Sequence, residues 1–405
     1  MSGNVTAVVG LQYGDEGKGK IVDYLAEKSD VVIRANGGAN AGHTIVLKNG
    51  KTLALHQIPS GVAYDSTQNI IGNGSFIDPV KLVEEMEDAR SKGLDIKPDN
   101  FQISKTAHLV LPVHKQKDAE RESGEKSQGS TKAGIAFAAA DKSLREGIRV
   151  ETIAESTKDD LVRLGGQEFA EAAFLLSTYL CDSVELIQKF ISSNKKVLLE
   201  GAQAFGLDIN HGKYPYVTSS DTTVAGLMSG SGINYKQIKK VIGVAKAIPS
   251  KVGGGPFVTA IKDEEIAAKA RGEKGKVDSE FGATTGRERE VGYLDLVALK
   301  RAVEVNGIDE IALTKFDCIG RHGKTTKIAT AYEFKGREIK NPPGSGVELY
   351  ECTPIYEELP TWQENNSTEA RKYIKFIEDY LKVPVTMLGI GPNREDLVIR
   401  KKSNK

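Results

Sequence analysis

Asn4-Val5-Thr6-Ala7-Val8-Val9-Gly10-Leu11-Gln12-Tyr13-Gly14-Asp15-Glu16-Gly17-Lys18-Gly19-Lys20-Ile21-Val22 reads as a β-branched strand over 4–11, a glycine-rich turn over 14–19 and the opening of a helix. Helical spacing continues over 21–26, and an apolar strand follows at 30–34. Similar short apolar runs recur at 69–71, 196–200, 240–245 and 311–313, each followed by polar or glycine-bearing sequence. That alternation predicts an α/β fold, a mainly parallel sheet flanked by helices. The loop over 14–20 lies where backbone N–H groups and a helix dipole can receive phosphates, so the core is expected to resemble that of P-loop nucleotide-binding proteins.

The chain has 405 residues and 39% hydrophobic content, enough for a large core without staples. Lys plus Arg and Asp plus Glu both number 55, so no net field draws the chain onto nucleic acid or an anionic membrane. Anions must therefore be held locally. The run over 241–248 is broken by Gly243 and Lys246 and falls short of the roughly 18 apolar residues a membrane span needs. No charged and apolar leader precedes the first strand. Cys181, Cys318 and Cys352 are too scattered for a disulfide framework or a zinc site. The expectation is a cytoplasmic protein without membrane or nucleic-acid partners.

Helical stripes are expected over 80–89, 294–303 and 368–381, with Ser367 or Thr368 as cap of the last. Segments 121–134 and 271–289 are rich in glycine, hydroxyl and charge and read as mobile loops. No repeat or Pro-rich linker divides the chain, which predicts one domain over 1–405 with loop insertions.

Four stretches carry chemistry. Gly14 to Gly19-Lys20 meets the G-x-x-x-x-G-K template, but Ile21 stands where Ser or Thr would normally hold magnesium, which leaves Asp15 as the oxygen donor inside the loop. Asn36-Gly37-Gly38-Ala39-Asn40-Ala41-Gly42-His43-Thr44 follows the second strand, where α/β sheets bind ligands, and makes His43 an acid–base candidate beside Asp15. Thr314-Lys315-Phe316-Asp317 looks like a guanine-reading element, because a carboxylate can accept from both N1–H and the exocyclic amine of guanine. Thr284-Thr285-Gly286-Arg287-Glu288-Arg289 brings guanidinium forks suited to carboxylate and phosphate.

Together with Glu200-Gly201-Ala202-Gln203, Tyr214-Pro215-Tyr216-Val217-Thr218-Ser219-Ser220 and Val252-Gly253-Gly254-Gly255-Pro256-Phe257, these motifs stand in the order found in adenylosuccinate synthetases, and the chain resembles that family along its length. The resemblance implies a GTP- and magnesium-dependent ligase of AMP biosynthesis that phosphorylates the six-oxygen of IMP and then joins L-aspartate to that carbon. It implies catalytic roles for Asp15, His43, Lys18 and Gln203, with Asp15 and the Gly42 carbonyl on the metal. GTP falls to Gly14, Glu16, Gly17, Lys18, Gly19, Lys20, Gly42, His43, Thr44 and Arg289, and its base to Lys315, Phe316, Asp317 and the Gly389-Ile390-Gly391 turn. IMP falls to Asp15, Asn40, Ala41, Gly42, His43, Thr131, Gln203, Thr218 and Arg287. Aspartate falls to Ala283, Thr284, Thr285, Gly286 and Arg287. Arg145 is implied to reach the partner's nucleotide in a homodimer.

Three departures from the family pattern stand out. Tyr13 replaces the usual Trp, Glu288 interrupts an arginine run, and Ser130-Thr131-Lys132-Ala133-Gly134-Ile135-Ala136-Phe137 differs from the usual Thr-Thr-Gly-Arg-Gly-Ile-Gly-Pro. They keep open a related synthetase acting on dGMP, and a guanine-nucleotide switch without synthetase activity stands as a further alternative.

Overall fold

The computed structural model describes residues 4–47, 50–124, 127–276, 278–281 and 288–401. The chain forms two compact units: Met1–Val9, Lys18–Gln203 and Thr218–Lys240 make the first, and Gly10–Gly17, Ala204–Val217 and Val241–Lys405 the second.

The first unit is built on strands β1 (Val5–Gly10), β2 (Val31–Arg34), β3 (Gln68–Ile71), β4 (Phe101–Ser104), β5 (Leu180–Cys181) and β6 (Val197–Glu200). Their order is β1-β6-β2-β3-β4-β5, and every neighbouring pair is parallel. β2 and β6 are buried along their whole length, as strands covered on both faces must be. Helix α1 (Lys18–Ala26) starts earlier than its apolar spacing suggests, because its first turn is the buried Lys18 and Gly19 of the phosphate-loop motif.

Helices Pro79–Ser91 and Lys158–Leu176 cover the sheet with Leu82, Met86, Leu161, Phe169 and Leu176 in one apolar cluster. The second of these is invisible to periodicity, since Gly165-Gly166 interrupts it and Gly166 sits at φ +85°. With φ +85° and ψ 177° Gly166 leaves the helix, so the span is two helical arms joined at a kink. Burying Leu161 on one arm and Phe169 and Leu176 on the other returns roughly 1.5–3 kcal/mol per side chain, so both arms dock although the helix breaks between them.

The second unit holds β7 (Ile238–Lys246), β8 (Glu310–Thr314), β9 (Val385–Gly389) and β10 (Leu397–Ile399) in that spatial order, parallel except for the antiparallel edge strand β10. A separate sheet pairs Thr325–Phe334 with Thr353–Pro360, Arg337–Ile339 and Leu294–Asp295. The helix expected from residue 294 begins at Leu296 instead, because the Asp295 carboxylate accepts from the Ala298 N–H and makes Asp295 the cap. Helix Thr368–Leu381 has the expected bounds, capped by Ser367, whose Oγ accepts from the Ala370 N–H at 3.1 Å.

The expected loop over 121–134 is partly helix, since Pro112–Glu122 closes over Arg121 and Glu122. The Glu122 carboxylate then accepts from the N–H groups of Gln128, Gly129 and Ser130, and Asp118 from Ser130 Oγ and the Gly134 N–H. Among the described residues no helix is long and apolar enough to cross a membrane.

Candidate functional site

The C-terminal end of β2 carries Arg34, that of β6 carries Glu200, and the parallel register sets the two opposite each other. Arg34 Nη1 donates to Glu200 Oε1 at 3.0 Å. Ser60 adds its N–H to Oε2 at 2.8 Å and its hydroxyl to Oε1 at 3.0 Å. Nδ1 of His43 lies 2.5 Å from the same Oε1. All four residues are buried. Burial raises the Glu200 pKa, but Arg34 and His43 outweigh it, and the carboxyl settles at about 2. Burial, and then the Arg34 charge, lower the pKa of His43, while Glu200 pulls the other way. Glu200 therefore stays ionised and orients the ring, and Nε2 of His43 remains for a ligand.

Around His43 the sequence motifs converge. A Cβ added to Gly19 would stand 3.0 Å from the Thr44 carbonyl and 3.3 Å from His43 Cβ, so only glycine lets the start of α1 approach that strand so closely. The Ala41 carbonyl accepts from His56 Nδ1 at 2.5 Å. Asn40 donates to Thr218 Oγ1 at 3.4 Å and accepts from Gln203 Nε2 at 3.3 Å, which joins three of the residues expected on the nucleotide. Gln203 is held at φ +57°, and its buried Oε1 has no partner. Thr131 and Arg145 lie exposed, the latter at φ +66° closing helix Ile135–Leu144.

In the second unit the loop over 10–17 is tied by its own glutamate. Glu16 is fully buried and accepts from the N–H groups of Gln12 and Gly14 at 3.1 and 2.9 Å. Its carboxylate thus shapes the loop. The Glu16 carbonyl accepts from Thr314 Oγ1 at 2.7 Å, and Gly389 packs on Thr314, so the loop, the Thr-Lys-Phe-Asp element and the Gly389-Ile390-Gly391 turn come together. Phe316 is fully buried against Trp362 and Tyr373, which leaves its backbone as what it can offer a nucleotide. Asp15 and Lys315 stand at φ +55° and +56°. Left-handed conformations at non-glycine residues cost energy and cluster where ligands are handled. Asp15 Oδ2 pairs with Arg289 Nη2 at 2.7 Å. The aspartate-directed residues Ala283, Thr284, Thr285, Gly286 and Arg287 lie outside the described residues; on either side, Phe281 and Glu288 form an antiparallel bridge.

A family model described as adenylosuccinate synthetase matches residues 7–165 and 162–398. Curated adenylosuccinate synthetases of Caldicellulosiruptor bescii and Chlorobium limicola are 43% and 41% identical to this chain, over 98% of it and 99% and 97% of their own lengths. The chain belongs to the adenylosuccinate synthetase family. The fully ligated adenylosuccinate synthetase of Plasmodium falciparum matches with a TM-score of 0.90 and 36% identity, over 98% of this chain and all of that one. Family members are GTP-dependent carbon–nitrogen ligases of purine biosynthesis, and this chain is one of them, not a switch. A cyanophage S-2L succinoaminodeoxyadenylate synthetase bound to dGMP and dATP shares the fold, at TM-score 0.68 and 21% identity.

Sequence reasoning passed over Arg34, Ser60, Lys246 and Glu280 and gave Glu200 no role of its own. A signal existed: β2, β6 and β7 are apolar strands that each end on a charge, Arg34, Glu200 and Lys246, at the edge where α/β proteins bind ligands.

Proposed function

We propose that this chain phosphorylates O6 of IMP with GTP and lets the amine of aspartate displace the phosphate, giving adenylosuccinate, GDP and inorganic phosphate. The observation that carries this reading is the cluster of Asn40, Gln203 and Thr218, with Gln203 Oε1 buried and unpartnered as an acceptor for the nucleotide. Identity of 41–43% to curated adenylosuccinate synthetases, against 21% to the dGMP-bound protein, favours IMP over dGMP.

Asp15 takes the N1 proton of the purine, which makes O6 nucleophilic toward the γ-phosphorus of GTP. His43, once protonated, donates through Nε2 to phosphoryl oxygens as they gain charge, and Glu200 stabilises that imidazolium from Nδ1. Lys18 and the loop amides of Gly14, Glu16, Gly17, Gly19 and Lys20, with Thr44 and Arg289, hold the GTP phosphates. Lys315, Asp317 and the turn 389–391 read guanine. Thr131, Ala41 and Arg287 complete the IMP contacts, and the segment 283–287 holds aspartate.

Magnesium fits the donors present. Asp15 is 46% exposed and offers hard oxygen, as does the Gly42 carbonyl. Among the described residues no group of three or more His, Cys, Asp or Glu could hold a metal; magnesium held by Asp15 and Gly42 would draw its remaining oxygens from nucleotide phosphates and water, as it prefers. Bound with GTP, the cation neutralises charge on the phosphates.

A homodimer with Arg145 acting in trans is supported by the exposure of Arg145 and of its neighbour Leu144, at 63%. The free thiols of Cys181, Cys318 and Cys352 suit a reducing cytoplasm. The whole chain is read as one domain with loop insertions. Comparing kcat/KM for IMP and dGMP with GTP and aspartate tests the substrate assignment: IMP is expected to lead by at least tenfold, and a preference for dGMP would refute it.

A further inference from the structure

Glu280 stands at the base of the stem closed by the Phe281–Glu288 bridge, where the Arg289 N–H donates to its carbonyl at 3.0 Å. Its carboxylate is 2% exposed and gathers three cations: Lys246 Nζ at 3.1 Å, Arg289 Nη1 at 2.9 Å and Lys315 Nζ at 3.0 Å. Ser250 Oγ donates to it at 2.6 Å. Burial raises the acid, but Lys246 and Lys315 outweigh it, so Glu280 is held as a carboxylate far below the usual range.

The group is incompletely satisfied. Arg289 Nε is buried without a partner, and although Lys315 lies within ion-pair distance of Glu280 Oε1, that oxygen accepts no directed hydrogen bond. Within these ion pairs Lys246, Arg289 and Lys315 meet two carboxylates, Glu280 and Asp15.

The fork of Arg289 has two unequal arms. Nη1 is anchored to Glu280 in the interior, whereas Nη2 sits at 2.7 Å on Asp15, which is 46% exposed. Only the second partner can be exchanged cheaply. While Oδ2 is paired with Arg289, that guanidinium competes with any proton or cation for the oxygen.

We infer that Glu280 is a positioning residue for GTP, and that the Asp15–Arg289 ion pair it supports is a resting latch which the nucleotide's phosphates open by taking Nη2 from Asp15. This rests on the assignment of Arg289 and Lys315 to GTP made above. It adds that one buried carboxylate sets the phosphate and guanine contacts together, and that releasing Asp15 is coupled to GTP arrival.

The test is GTP affinity at equilibrium with magnesium, together with KM for GTP and IMP, in Glu280→Gln. Losing one charged anchor of a guanidinium should weaken GTP binding about tenfold or more, with KM for IMP changed less than about twofold. Because the variant strands Lys246 in the interior, Lys246→Met/Glu280→Gln is made alongside it; its melting temperature should approach wild type while the GTP defect persists. Should neither fold, Glu280→Asp, which keeps the charge but withdraws it by one methylene, must show the same selective loss. Wild-type GTP affinity in a folded variant, or an equal rise in KM for IMP, overturns the inference. Failure of the wild-type enzyme to couple GTP to IMP and aspartate would instead strike the functional reading, since the binding measurement does not depend on turnover.

Discussion

Nδ1 of His43 lies 2.5 Å from Oε1 of Glu200, and both groups are buried. The carboxylate is shared with Arg34 and Ser60, so one side chain fixes the tautomer of the imidazole and neutralises a buried guanidinium. Glu200→Gln should therefore fail in two ways. Turnover should fall on the order of 10²–10³, because an amide cannot stabilise the imidazolium. Stability should fall by about 3–5 kcal/mol, the usual cost of leaving one member of a buried pair without its partner. Steady-state kinetics and denaturant unfolding report the two separately; a stable variant with normal kcat would detach Glu200 from His43's function.

Asp15→Asn keeps the shape of the loop but can accept no proton. Product formation should be lost while GTP still binds, since a neutral amide holds Arg289 less strongly than the carboxylate does. Near-normal turnover would remove Asp15 from the mechanism.

Arg145→Leu should raise KM for IMP more than for GTP if its guanidinium reaches the partner's nucleotide. Mixing is the sharper test. If the chain is a homodimer with Arg145 acting in trans, an Asp15→Asn chain and an Arg145→Leu chain, each poor alone, should form heterodimers in which one of two sites is intact, and activity should approach about a quarter of wild type after random exchange. No recovery despite demonstrated exchange would confine Arg145 to its own chain or to no role.

Much of this site is legible in the residues themselves. The strand, glycine loop and helix at the start, the Asn40–Thr44 motif and Thr314–Asp317 all stand where ligand-handling segments of an α/β fold belong. What escaped were residues whose value lies in pairing across the fold. Glu200 and Arg34 are ordinary strand-end charges until the register of β6 on β2 sets them side by side. Glu280 sits in a segment with no periodicity, and only folding brings it to Lys246 and Lys315. The helical span Lys158–Leu176 escaped because Gly165-Gly166 breaks its pattern and, at Gly166, the helix itself.

Acid sensitivity follows from buried neutral histidines. Burial pushes His322 down to about 4, and His108 falls to about 4 through burial and then the charges of Lys142 and Arg149. A folded pKa below the unfolded value of about 6.5 means the unfolded chain binds the proton first, so this stability is fully present above pH ~6.5 and is lost as pH falls toward 4. The melting temperature should drop across that window. His322→Gln should flatten the drop; an unchanged profile would assign it to other groups.

GTP is expected to activate O6 of IMP before aspartate arrives at that carbon. Turnover of IMP labelled with ¹⁸O at O6 tests it most directly, because the displaced phosphate must carry that oxygen away. Each inorganic phosphate formed should carry one ¹⁸O, in step with adenylosuccinate and GDP. Unlabelled phosphate, with the label in water, would contradict it.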